Sequence, residues 1–241
     1  MERSLLFGNH DYSKRIKKGK TKDIFVINGV LVKQVINTIL WPLTHCIDRC
    51  LTEGIFPQTL KLAKVLPIFK KGDRSLMDNY RPISIAKFSK IIETVMCKQL
   101  TNYFESNNLL VKCQYGFRKG LSSVKAIEDL VSSVILGFED GSNSLAILCD
   151  LTKAFDCLSH EIIVSKLEYY GMAGTELSLL RSYLVNRYQS VYVKGEYSTM
   201  TVISSGVPQG SVLCPLLFLI MINDLSSSIS SSSILFADDT T

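Results

Sequence analysis

Apolar positions along the chain change period several times, and each change predicts an element. From Val30 to Leu51 they recur at helical spacing through Val32, Ile36, Ile39, Leu43, Ile47 and Leu51, which predicts an amphipathic helix kinked or broken at Pro42 and ended by Gly54. Val65 to Phe69 is a short β-branched and apolar run closed by Lys70-Lys71-Gly72-Asp73, the pattern of a strand entering a turn. Helices follow over about 87–104, with Ile91, Val95 and Leu100 on one face, and over 122–136, with apolar positions 124, 127, 131 and 134. Leu145 to Cys149 is continuously apolar rather than alternating, so it predicts a central strand covered on both faces. Ser159 caps a helix that reaches Tyr170, with Glu161 in its first turn and Gly171 at its end. Another helix spans about 176–186. Val191 to Val193 and Thr199 to Ile203 then flank Lys194-Gly195-Glu196-Tyr197 as a β-hairpin. The turn at Pro208 and Gly210 leads into a buried helix over 212–225, Ser226 to Ser233 is an exposed serine-rich linker, and Ile234 to Phe236 is a last strand.

Length and composition allow a full core: 241 residues, 46% apolar. The longest unbroken apolar run, Val212 to Ile222, holds a proline and falls short of the ~20 residues that cross a bilayer, so no membrane partner is expected. Charge is uneven. Residues 1–125 carry 22 Lys/Arg against 9 Asp/Glu, and residues 126–241 carry 5 against 13. Either the first half meets a polyanion or it is a solvated basic face; charge alone leaves both open. Residues 1–24 are polar and basic, a flexible lead-in without a signal core. The seven scattered cysteines form no CxxC pair and fit a reduced, intracellular protein in nucleus or cytoplasm. His45, Cys46 and Cys50 lack the second ligand pair of a zinc site, and His10, His45 and His160 show no partner pattern.

Two apolar strands each end in carboxylate. Asp150 follows Leu145 to Cys149, and Asp238-Asp239 follow Ile234 to Ala237. If the strands are neighbours, three carboxylates crowd together, a costly arrangement that a divalent cation relieves. An Asp-Asp pair marking a plain turn is the alternative.

The surrounding residues carry a resemblance. Asp150-Leu-Thr-Lys-Ala-Phe155-Asp156 resembles the DLSKAFD element of reverse transcriptases from non-LTR (LINE-like) retrotransposons, and Phe236-Ala-Asp-Asp239 resembles their F/YADD box. Lys70-Lys71-Gly-Asp73, Asn79-Tyr-Arg81-Pro-Ile-Ser84, Gln114-Tyr-Gly-Phe-Arg118 and Gly206-Val-Pro-Gln-Gly210-Ser-Val-Leu213 follow the same family's pattern, in its order. The resemblance covers roughly residues 25–241. It implies an α+β right-hand polymerase fold: fingers over 25–144, an incomplete palm over 145–241 with a small antiparallel sheet packed with helices, and no thumb. Because Thr241 lies just past the carboxylate pair, the second strand of that hairpin, the primer-gripping hairpin and the thumb are expected to fall outside the chain, and no upstream endonuclease region is expected within it.

The implied function is RNA-directed DNA polymerisation, adding dNTPs to a DNA primer on an RNA template, with two Mg²⁺ ions (Mn²⁺ as a possible substitute) held by Asp150, Asp238 and Asp239 with Leu151 beside them. By the same resemblance Phe155 is an aromatic gate under the incoming sugar, against which a ribose 2′-hydroxyl would collide. Lys153 and Ala154 place backbone N–H groups by the triphosphate. Arg81 and one of Lys70 and Lys71 close over it, and Gln209 and Gly210 meet the nucleotide or template base. Gly116, Phe117 and Arg118 guide the template. Asp156 reads as a turn cap, outside the metal set. Two rivals remain at this level: a truncated relic that binds nucleic acid without catalysis, and an RNA-copying polymerase of the same plan, against which Phe155 argues. Oligomeric state is left open.

Overall fold

The computed structural model of the protein describes residues 19–151, 153–237 and 239–240, the last two through their backbone. The expected lead-in therefore lies largely outside the described residues, and so do Asp238 and Thr241.

Six α-helices and two sheets make up the described chain. The first helix, α1 (Gly29–Glu53), begins where the Asn28 side chain accepts from the Leu31 N–H at 2.8 Å and ends at Gly54 in the left-handed region, φ 69°. It runs unbroken through Pro42. At 25 residues α1 is, among the described residues, the one helix long and apolar enough to cross a bilayer, a property that a search for unbroken apolar runs passes over. Its stripe of Val32, Ile36, Ile47 and Leu51 is nonetheless spent on the protein core, while Trp41 on the other side is 80% exposed.

Strands β1 (Leu62–Phe69) and β2 (Tyr80–Ile85) form an antiparallel hairpin, with Phe69 opposite Tyr80 and Lys64 opposite Ile85. Helix α2 (Ser89–Ser106) returns through the core and is followed by α3 (Ser123–Glu139), capped by Ser122. Strand β3 (Cys149–Asp150) is short. Then come α4 (His160–Tyr169) and α5 (Gly174–Leu184), which pack on each other, with α1 also against α5. Strand β4 (Arg187–Val193) lies parallel to β1, with Leu62 beside Tyr188, and pairs antiparallel with both β5 (Glu196–Tyr197) and β6 (Thr201–Ile203). Helix α6 (Cys214–Ile222), with Pro215 in its first turn, is buried along most of its length and packs on α4. Strands β7 (Leu235–Phe236) and β8 (Asp239–Thr240) complete a separate three-stranded sheet, ordered β3-β8-β7.

The α+β architecture that the resemblance implies is found, and three details differ. The small sheet that carries Asp150 and Asp239 is antiparallel as expected, but a second, larger sheet is present and is mixed, because β1 and β4 run side by side in the same direction; that sheet joins residues from both sides of position 144. The second strand of the carboxylate hairpin starts within the chain, at Asp239. And Leu145 to Cys149 is not a covered central strand: only Cys149 and Asp150 pair, at a sheet edge, and Leu145, Ile147 and Leu148 are exposed. The predicted core face of α3 is exposed as well, at Val124, Ile127 and Val131, with Ala126 its one buried residue. No described element lies over either apolar surface, so continuous apolarity here marks a surface and not a core.

The hairpin after β4 turns at Lys194 and Gly195, both with positive φ, as a two-residue turn requires. Its return arm is interrupted at Ser198, whose hydroxyl accepts from the Val191 N–H at 2.9 Å and so replaces a rung of the ladder.

Candidate functional site

Antiparallel pairing of β3 with β8 sets Asp150 directly opposite Asp239, with Phe236 on the other side of Asp239 in β7. Residues facing each other in this way have Cα atoms about 4.5–5.5 Å apart. The Asp150 side chain is exposed and Leu151 follows at the mouth of the loop. Three His, Cys, Asp or Glu side chains grouped for a metal are not found among the described residues, of which Asp238 is not one. The residue types nevertheless suit a hard cation: carboxylates are acceptor-only, and Asp150 and Asp239 face each other on adjacent strands.

The turn that carries these carboxylates is braced by the Gln114 to Arg118 segment. Tyr115 N–H donates to Leu235 O and Leu235 N–H to Cys113 O, both at 2.8 Å, so the segment lies alongside β7 like a further parallel strand. The buried Gln114 amide oxygen accepts from Gly116 N–H (2.7 Å) and Ala237 N–H (3.0 Å), and Ala237 holds φ 58° immediately before Asp238. A Cβ on Gly116 would sit 2.2 Å from the Ala237 nitrogen, so glycine is the residue that allows this approach. Tyr115 donates its phenol to Asp129 of α3; this bond pushes the phenol up to about 12 and, with Lys125, holds the Asp129 carboxyl below its usual range. Phe117, with φ 57°, is 55% exposed. Arg118 turns inward. Its guanidinium donates to both Glu105 oxygens, at 3.0 and 2.7 Å, and to Val111 O at 2.8 Å. This residue, expected to help guide the template, is thus paired with α2 and its loop.

After Asp150 the chain turns at Lys153 (φ 53°), whose carbonyl accepts from Asp156 N–H at 2.8 Å. Lys153 Nζ donates to Asp78 Oδ1 at 3.0 Å, a partner that raises the lysine above its ordinary pKa and ties this turn to the loop between β1 and β2. Ala154 and Phe155 rest on the core. The Phe155 ring centroid lies 4.9 Å from that of Phe218 in α6 and 6.4 Å from that of Phe117, so the ring forms a floor between core and surface.

Beside it runs the loop 206–213. Phe155 O accepts from Val207 N–H at 3.0 Å and Leu158 O from Gly206 N–H at 2.7 Å. Gly206 has φ 78° and no room for a Cβ, which would lie 2.7 Å from Asp156 O. Three buried or half-buried side chains fix the rest. His160 Nε2 is 2.7 Å from Gly206 O, Glu93 Oε2 accepts from Val212 N–H at 2.7 Å, and Tyr183 Oη is 2.7 Å from Ser211 Oγ. Gln209 O accepts from Ser84 N–H of β2 at 2.8 Å, while its side-chain Nε2 lies 3.0 and 3.2 Å from the two Asp156 oxygens. Gly210, at φ 97°, presses against Ser84 O and the Ile83 side chain.

Arg81 shares a face of β2 with Ile83, two residues on, so it stands on the side that carries Gly210. It is exposed, as are Lys70 and Lys71 at the hairpin's far end, where Lys70 N–H donates to Asn79 O. Register, hydrogen bonds and close contacts thus connect Asp150, the Asp239 backbone, Lys153, Phe155, Phe117, Gln209, Gly210 and Arg81 into one candidate site. Lys70 and Lys71 sit farther out, and Arg118 sits behind it. Gln114, Glu93, Asp156 and His160 hold its walls. A sequence reading misses that role because the bonds to Ala237, Val212, Gln209 and Gly206 span tens of residues and leave no local period; Gln114 and Asp156 alone had a signal, their places in recognisable boxes.

Comparison with known proteins gives a consistent result. Residues 68–241 match the family model described as reverse transcriptase (RNA-dependent DNA polymerase). A probable RNA-directed DNA polymerase from transposon BS of Drosophila melanogaster is 33% identical over 208 residues, covering 83% of this chain and 22% of that protein. The RNA-directed DNA polymerase from the mobile element jockey of the same organism is 26% identical over 212 residues, 87% of this chain and 23% of that protein. The chain thus spans about a fifth of the length of these relatives. Among solved structures, a chain of a partial Cas6-RT-Cas1–Cas2 complex superposes with a TM-score of 0.46 at 18% identity, over 85% of this chain and 32% of that one.

Proposed function

Because the chain belongs to the reverse transcriptase family, we propose that this site is the nucleotide-addition cleft of an RNA-directed DNA polymerase of non-LTR retrotransposon type. The observation that carries this reading is the register that sets Asp150 opposite Asp239 beside a floor made by Phe155. In it, residues 25–144 act as fingers and 145–241 as palm, meeting an RNA template, a DNA primer and dNTPs in the nucleus or cytoplasm.

Asp150, Asp238 and Asp239, with Leu151 beside them, would hold two Mg²⁺ ions, or Mn²⁺ in their place. When bound, such a pair supplies activation of the primer 3′-hydroxyl and neutralises the charge of the departing pyrophosphate. The chain's own groups do the rest. Phe155 supports the sugar and leaves no room for a 2′-hydroxyl. Exposed Arg81 offers its fork to triphosphate oxygens, joined by Lys70 or Lys71 as the β1–β2 hairpin bends inward. Lys153 would exchange Asp78 for phosphate, and the Lys153–Ala154 backbone would lie along the triphosphate. Gln209 and Gly210 shape the wall that the nucleotide meets. Phe117, exposed and edge-on to Phe155, is placed to stack on a template base, while Gly116 and Arg118 fix the loop that presents it.

Extension of a DNA primer on an RNA template with dNTPs and Mg²⁺ tests the reading, using both this chain and the longest natural polypeptide that contains it. Asp239→Asn is expected to abolish extension and leave template binding within about twofold. Phe155→Val is expected to raise rNTP incorporation. If the longer polypeptide binds template but extends nothing, the catalytic reading falls and a nucleic-acid-binding relic replaces it.

A further inference from the structure

Asp156 is an exposed carboxylate directly after the Phe155 floor, and it takes no part in the carboxylate pair at the strand tips. Its partner is the side chain of Gln209, fifty-three residues away, whose Nε2 lies within hydrogen-bond reach of both its oxygens. We infer that Asp156 is a specificity-determining positioning residue: it locks the Gln209 amide so that a carbonyl oxygen, and not an N–H, is offered to the incoming nucleotide.

The argument rests on what each group can do. An ionised carboxylate only accepts hydrogen bonds, whereas a glutamine amide donates from one end and accepts at the other. With its nitrogen toward Asp156 the amide makes a charge-assisted bond. Turned over, Oε1 would face two acceptor oxygens at about 3 Å and repel them. The carboxylate therefore selects one of two amide orientations that are otherwise close in shape. The selection would mean little if the residue could swing away, but both ends are held. Gln209 O accepts from Ser84 N–H at 2.8 Å, buried Pro208 precedes it, and Gly210 is pressed on Ser84. Asp156 is fixed in its turn by its N–H on Lys153 O, and Gly206 is packed against its backbone. The Gln209 backbone carbonyl and side-chain nitrogen are thus both bonded, and Gln209 Oε1 is the acceptor left over next to the Phe155–Asp156 turn.

The ligand class that follows is a hydrogen-bond donor on the nucleotide, either a sugar hydroxyl or a base N–H. This inference depends on the cleft being the nucleotide site. It also makes Asp156 a link between the floor under the sugar and the wall beside it.

The test is steady-state incorporation of a single dNTP opposite an RNA template by the longest natural polypeptide containing this chain, with thermal midpoints measured in parallel. Asp156→Ala should raise KM for dNTP about tenfold with kcat within about twofold. Gln209→Glu, which sets two carboxylates against each other, should lose at least as much. The double variant Asp156→Asn/Gln209→Glu should recover to within about threefold of the parent, because the introduced asparagine can donate its Nδ2 to the introduced glutamate and leave a free acceptor oxygen in place. Comparing each dNTP with its 2′,3′-dideoxy form separates the donors: a sugar hydroxyl is the partner if Asp156→Ala removes the discrimination between them, and a base N–H if it does not. No incorporation by the parent would defeat the nucleotide-site reading itself. An active parent with KM unchanged in Asp156→Ala, or a double variant no better than Gln209→Glu, would overturn this inference and leave that reading standing.

Discussion

At the scale of single residues, the groups that hold the cleft are those whose loss should be most visible in stability. Glu93 is buried on α2 and accepts from Val212 N–H and from the Ser89 hydroxyl. Truncation to alanine strands a backbone donor before α6 and opens a void, so Glu93→Ala should cost about 2–4 kcal/mol, whereas Glu93→Gln, whose amide oxygen still accepts from Val212, should cost about 1. Urea denaturation of the three proteins measures both. His160 illustrates the same point from the other side: the sequence shows no partner for it, yet its ring meets Gly206 O. Residues expected to meet ligand could be named because each sits in a recognisable box. Their supports were not, since Glu93 and Val212 lie 119 residues apart and nothing in the spacing announces the bond. The pairing of Arg118 with Glu105 on α2 is hidden for a similar reason, since thirteen residues and a loop separate the two.

At the scale of elements, helices were read within two or three residues of their observed ends, because caps such as Ser122 and Ser159 and the glycines at 54 and 171 are local signals. Strand partners were not readable in this way. Nothing in Leu62–Phe69 states that it will lie parallel to Arg187–Val193, and an apolar run such as Leu145–Leu148 has the same composition whether it ends up covered or exposed. The junction between the Gln114 loop and β7 gives a sharp prediction. Gly116→Ala places a methyl where the Ala237 nitrogen already is, so either the loop or the turn before Asp238 must move. Hydrogen-exchange protection at Tyr115 and Leu235 should fall by at least about tenfold, the equivalent of ~1.4 kcal/mol, while protection in α5 stays unchanged. The Tyr115–Asp129 contact adds a pH dependence. Asp129 is held below its ordinary range, first by the Tyr115 hydroxyl and then by Lys125, so its contribution is complete above that range and is lost as pH falls through the lowered value. Protection of Tyr115 should accordingly weaken on acidification below about pH 4 in the parent, and Asp129→Asn should flatten that dependence.

For the whole molecule the governing quantity is the division of charge. Thirteen more Lys/Arg than Asp/Glu stand in residues 1–125 and eight fewer in 126–241. Sequence alone leaves open whether such a basic half is merely solvated. The structure narrows the question, because several of its cations have their side chains in use: Arg118 on Glu105, Arg49 on Glu53, Lys125 on Asp129. Lys70, Lys71 and Arg81 are exposed on the β1–β2 hairpin that leads to Gln209 through Ser84. If these three meet phosphate, affinity for a primed RNA template must fall steeply with salt, since each neutralised phosphate releases condensed counterions. Replacing Lys70 and Lys71 together by alanine should reduce the slope of log K against log salt by about 1.5 to 2 and weaken binding in about 0.1 M salt, whatever the template sequence. Replacing Arg118 should leave that slope unchanged and lower thermal stability instead, because its charge is already balanced within the fold. Fluorescence anisotropy across a salt series distinguishes the two. An unchanged slope in the double lysine variant would mean that the hairpin stands clear of the nucleic acid, and the basic half would then have to act through other residues.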